Sequence, residues 1–146
     1  MKVDDRIWKV MQKRLGYSDT ELQMFKGNPR NEEVLANASV LVNKVIVLEV
    51  VESHGCNSRH LVGDKFYFDG AGNLLTERSP KKICVFALSN ALMMIFTVSE
   101  MLYAGVDPNT MRFNRTHCFD VGLQCGGWGR IVLALHVEDK KTDKCS

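Results

Sequence analysis

An α+β fold is expected from three observations. The first forty residues carry amphipathic helical patterns, a β-branched run starts near Asn43, and hairpin, helix and strand signals follow without regular strand–helix alternation. The expected architecture is a helical N-terminal extension over 1–42. It packs on a small, mainly antiparallel sheet with one central buried helix over 43–146.

The helices come first. Ile7, Trp8, Met11 and Leu15 share one helical face, and Gly16 supplies a stop. Ser18 and Glu21 make a capping box for a second helix carrying Leu22 and Phe25, ending near Gly27. Asn28-Pro29 reads as a cap with proline at the first helical position, opening a third helix that buries Val34, Leu35, Ala38 and Leu41.

Val45 through Val51 is a β-branched run and reads as a central strand, bounded by the polar segment Ser53 to Arg59. Lys65–Phe68 and Leu74–Thr76 flank Asp69-Gly70-Ala71-Gly72-Asn73, the pattern of a hairpin. Ser79-Pro80 then opens the main helix, which is apolar almost all round and therefore needs cover on several sides; Gly105 and Pro108 end it. The N-terminal helices or a second subunit would give that cover. Residues 111–120 alternate across a pleat, and Ile131 to Val137 forms the last strand beyond a glycine-rich loop from Gly122 to Gly129.

At 146 residues the chain has the size of a single domain, long enough to bury one core without disulfides. Its hydrophobic and charged fractions, 45% and 25%, exclude disorder and fibrous classes. A net charge of +2 gives no argument for a nucleic-acid or membrane partner. The apolar stretch from Ile83 to Leu102 is interrupted by Ser89, Asn90, Thr97, Ser99 and Glu100, so it reads as a buried helix rather than a membrane span. The N-terminus has no signal-peptide pattern, and five cysteines then suggest a reducing compartment; a cytoplasmic location is expected. The sequons at Asn37 and Asn114 carry no chemistry there.

His54, Cys56 and His60 place two imidazoles and a thiol within one polar loop, a ligand set suited to zinc or iron. The spacing is not a common zinc-finger pattern, and a surface loop with one buried cysteine is the plain alternative. Cys118 and Asp120 share a strand face and His117 takes the other, with Cys125 in the glycine-rich loop beyond. Cys118 by itself reads as a small core hydrophobe. Cys84 follows Lys81 and Lys82 at the start of the main helix, where a helix N-terminus favours thiolate, yet its apolar neighbours argue for core. Cys145 reads as a frayed terminal thiol. Asp64 reads as a turn residue, whereas Asp120 is the better carboxylate for acid–base work or for orienting a histidine or thiol. Trp128 and Arg130 would wall a small-anion pocket or simply cover the sheet end.

From Val45 onward the chain resembles small prokaryotic proteins of uncharacterised activity built around a Cys-x3-His-x2-Gly-Asp loop. The matching residues are Cys56, His60, Gly63 and Asp64, then Cys84 and the Cys-x-Asp of Cys118 and Asp120. The resemblance implies that the spaced cysteines are a shared feature and brings no activity.

The leading expectation is a metal-binding domain. Cys56, His60 and Cys118 would be the main ligands and Cys84, His54 or Cys125 would complete the set, with an open position for a water or small substrate. The alternatives are a non-catalytic accessory subunit of a larger enzyme, or a homo-oligomer, docking through apolar helices, and a thiol enzyme using Cys56 with His60 as base and Asp120 in support.

Overall fold

The computed structural model describes residues 2–141 as six α-helices and a four-stranded antiparallel sheet, an α+β fold. Cys145 lies outside the described residues. The chain divides into two compact units, Met1–Leu41 and Val42–Ser146.

The first unit follows its local signals. α1 (Asp5–Leu15) is capped by Asp4 and stopped by Gly16, which takes the left-handed conformation at φ 72°. α2 (Asp19–Lys26) carries the full Ser18/Glu21 capping box, and α3 (Pro29–Ala36) is capped by Asn28. Trp8, Leu22 and Leu35 form its buried cluster, with Val3, Met11 and Phe25 packed against them. The third helix is shorter than expected. It breaks at Asn37, whose side chain donates to the Glu33 carbonyl at 3.0 Å, and α4 (Ala38–Val42) follows as a separate turn. Only Leu35 of the four expected residues is fully buried.

In the second unit the sheet order is β2-β1-β4-β3, from β1 (Lys44–His54), β2 (Lys65–Asp69), β3 (Arg115–His117) and β4 (Arg130–Asp139). Register aligns Phe68, Ile46 and Val137 across three strands, then Phe66, Leu48 and Leu135. These side chains lie on one face and all are buried. A bulge between Val50 and Glu52 shifts the β1–β4 register. There the Val50 amide donates to the Asp64 carbonyl at 2.8 Å and the Gly63 amide to the Val50 carbonyl at 2.9 Å, so the β1–β2 connection docks on the bulge.

Three expected elements differ. The second hairpin arm is a single bridge, Phe68 to Leu74, although the turn forms as expected around the Asp69 carboxylate, which accepts the Ala71 and Asn73 amides. The strand over 111–120 shrinks to Arg115–His117. Asn109 takes its place beside the end of β4, its side-chain amide accepting from and donating to the Val137 backbone at 2.8 and 2.9 Å. A side-chain amide thus satisfies the ladder where strand backbone was expected.

The main helix begins later than Ser79. Ser79 Oγ accepts the Tyr67 amide at 3.0 Å, so it holds the edge of β2 instead of capping a helix. Helix starts at α5 (Val85–Ser89), passes a turn at Asn90 and Ala91, and continues as α6 (Leu92–Tyr103). Ala87, Ala91, Ile95, Val98 and Leu102 are buried at helical spacing, and a Cβ on Gly72 of the β2 turn would stand 3.7 Å from Ile95. Val85, Phe86, Leu92, Met93 and Phe96, on the opposite face, are exposed.

This assignment predicts a contrast between two identical substitutions. Leu48→Ala, at a fully buried position, is expected to cost about 2–5 kcal/mol in urea denaturation. Leu92→Ala, 64% exposed, is expected to stay within about 0.5 kcal/mol of the parent.

Candidate functional site

Antiparallel pairing of β1 with β4 sets His54 opposite Arg130. The loop leaving β1 and the loop entering β4 therefore meet at one end of the sheet. The approach is close: a Cβ on Gly129 would run into the Gly55 carbonyl, so only glycine fits there.

The loop between β3 and β4 is built on Asp120. Its carboxylate accepts the Gly122 amide at 2.9 Å and the Trp128 and Gly129 amides at 3.2 Å. The Gly122 and Gly129 amides, with Trp128 adding less against a small burial effect, hold this carboxyl below its usual range. A Cβ on Gly127 would collide with Asp120 Oδ1, so the glycines let the backbone fold around the carboxylate. Asp120 is thereby occupied as an anchor for the loop. Cys118 is buried, and its sulfur lies 3.4 Å from the Ile131 amide that donates to it and 3.6 Å from the Asp120 carbonyl.

His60 is 2% exposed and packs edge-on against Phe66 at 5.1 Å. Its Nδ1 is 3.7 Å from Asp64 Oδ2, while Nε2 is buried with no hydrogen-bond partner. Asp64 also accepts the Leu61 amide at 2.9 Å, so it is the turn residue the sequence suggested and the group that faces His60 as well.

Cys84 is half-buried at the start of α5. Burial pushes its thiol up, but a hydrogen bond with the Ser58 side chain and the pull of the Ala87 and Phe86 amides outweigh this and leave it below the ordinary thiol range. The Ala87 amide is already bonded to the Cys84 carbonyl at 3.0 Å, so its pull on the sulfur is electrostatic and not a helix cap. Ser58 had no sequence signal, yet it is the contact that ties Cys84 to the Cys56 loop.

Cys56 is half-buried in a turn closed by the Arg59 amide on its carbonyl, and Cys125 is exposed in a single 3-10 turn, Leu123–Cys125. His54 is exposed at the end of β1. Among the described residues, no three His, Cys, Asp or Glu side chains stand close enough to hold a metal ion. The fold thus links Cys84 to the Cys56 loop.

The helices and the loop between β3 and β4 carry a different feature. Val85, Phe86, Leu92, Met93 and Phe96 of the helices are exposed, as are Phe119, Val121, Leu123 and Trp128 of the loop, Trp128 at 76%. The Phe119 amide donates to the Phe86 carbonyl at 3.0 Å, which makes loop and helix neighbours. Ser89 and Thr97 turn their hydroxyls back onto the Phe86 and Met93 carbonyls, so the outer helix face offers few free polar groups. No helix among the described residues is long and apolar enough to cross a membrane.

No family model, curated protein or solved structure matches the chain.

Asp120 gives a pH-dependent prediction. A carboxyl held below its unfolded value contributes stability above about pH 4 and loses it as pH falls through the lower folded value. Asp120→Asn is therefore expected to lower the melting temperature at pH 7, with the gap to the parent narrowing below about pH 4.

Proposed function

We propose that this chain is a non-catalytic accessory subunit that docks on a larger protein through the apolar face of α5, α6 and the loop between β3 and β4. One observation carries the reading: large apolar side chains of two neighbouring elements are exposed together. Scattered exposed apolar residues need no explanation, but large ones gathered on neighbouring elements mark an interaction surface. The face is supported from behind, because Ala87, Ala91, Ile95, Val98 and Leu102 are buried and hold the helices in place. Glu100 is the only charged residue in the two helices, so desolvating them on docking costs little.

Without its partner the purified chain is expected to self-associate reversibly with rising concentration in sedimentation velocity. The triple variant Phe86→Ser, Met93→Ser, Phe96→Ser is expected to sediment as a monomer, with circular dichroism and melting temperature unchanged. A parent chain that stays monomeric at every concentration would overturn the reading.

A second reading retains a zinc or iron site at the Cys56–His60 loop, with Cys84 brought in through Ser58. The buried, unpartnered Nε2 of His60 favours it, since a polar atom in that position is costly unless something binds it. Cys118 and Asp120, already bonded to backbone, are weaker contributors on this reading than their spacing suggested. Protein purified without air or chelator should then hold about one metal per chain, with thiols protected until chelator is added. Absence of metal together with a freely reactive Cys56 would exclude it.

A further inference from the structure

A cavity of about 320 Å³ opens on the sheet face opposite Phe66 and Phe68, within the range of small-ligand sites. Gly63–Lys65 line one side, Tyr67 the floor and Arg78–Pro80 the other side. None of these residues belongs to the apolar docking face. From them we infer a binding site for a small organic anion bearing a carboxylate or phosphate, held between Lys65, Arg78 and Ser79.

The inference rests on which polar groups are already committed. The single carboxylate in the lining, Asp64, is occupied by its own loop, accepting the Leu61 amide and facing His60. The donors are differently placed. Ser79 Oγ accepts the Tyr67 amide, which leaves its own proton to be donated. The Arg78 guanidinium carbon stands over the Tyr67 ring, 4.1 Å from its centroid, a contact that holds it beside the cavity before any ligand arrives. Its ion pair with Glu138 is long, 3.5 Å, and that of Lys65 with Glu49 is 3.4 Å; all four side chains are about one-third exposed or more. Such pairs are worth little in water and yield readily to an anion that presents several acceptors at once. A guanidinium, an ammonium and a hydroxyl around one cavity therefore favour a compact anion over a neutral or cationic ligand. Glu49 and Glu138 hold the two cations in place until it binds.

The test is titration of the intact chain with inorganic phosphate and, separately, succinate, each against sodium chloride at matched ionic strength, followed by amide chemical shifts. Saturable shifts centred on residues 63–67 and 78–80 with either anion are expected. Arg78→Gln and Lys65→Gln should each weaken binding about tenfold or more, as loss of a hydrogen bond from a charged donor does. Glu138→Gln, which releases Arg78 from its competitor, should tighten binding up to about fivefold and guards against a variant that merely fails to fold. Shifts no larger than with chloride, or Arg78→Gln and Glu138→Gln affinities equal to the parent, would overturn the site. Preference for phosphate over succinate, or the reverse, identifies which anion the geometry suits. Neither result bears on the docking face, whose variants lie on other elements.

Discussion

The antiparallel ladder between β1 and β4 is the constraint on which the rest of this domain depends. It runs from Lys44 opposite Asp139 to His54 opposite Arg130. Both strands are interior to the sheet, so their buried side chains have neighbours on each side. Because the strands are antiparallel, the end of β1 and the beginning of β4 lie together. The loops that carry Cys56, His60, Asp120 and Cys125 leave or enter the sheet near that point. The bulge at Val50 adds to this by giving Gly63 and Asp64 backbone partners, which in turn places His60 and Asp64 face to face.

Reactive side chains at this end are largely employed in holding backbone. Asp120 satisfies three loop amides, and Cys118 receives the Ile131 amide. A carboxylate surrounded by N–H donors is stabilised as an anion, which suits an anchor and opposes a role as proton donor near neutral pH. Cys84 differs, since hydrogen bonding from Ser58 and nearby backbone amides outweighs burial and holds its thiol below the ordinary range, and it is only half-buried.

The helices show how one segment can be apolar on both faces for different reasons. Small and branched residues, Ala87, Ala91, Ile95 and Val98, permit burial on the inner side. Phenylalanine, leucine and methionine stand outside, and the hydroxyls between them are turned inward to their own helix. An apolar helix in sequence reads as a buried one; burial on one side only leaves a surface with much to gain from a partner.

What the sequence alone determined were the local contacts. The capping box of Ser18 and Glu21, the stop at Gly16 and the Asp69 turn each involve groups within a few residues, so residue type and spacing specify them. The α+β class was equally legible, because strand and helix periods differ. Tertiary structure decided the rest. Ser79-Pro80 has the composition of a helix start, but Tyr67, twelve residues earlier, takes the serine oxygen. Alternation over 111–120 has the period of a strand, but Asn109 supplies the pairing in its place. For the candidate site, the Cys56 loop and Cys84 were legible as chemistry-bearing groups, while Ser58 as their link and Asp120 as a loop anchor were not. A donor or acceptor in the chain does not encode its partner when that partner is distant in sequence; packing brings several within reach, and the backbone group left without an alternative claims the bond.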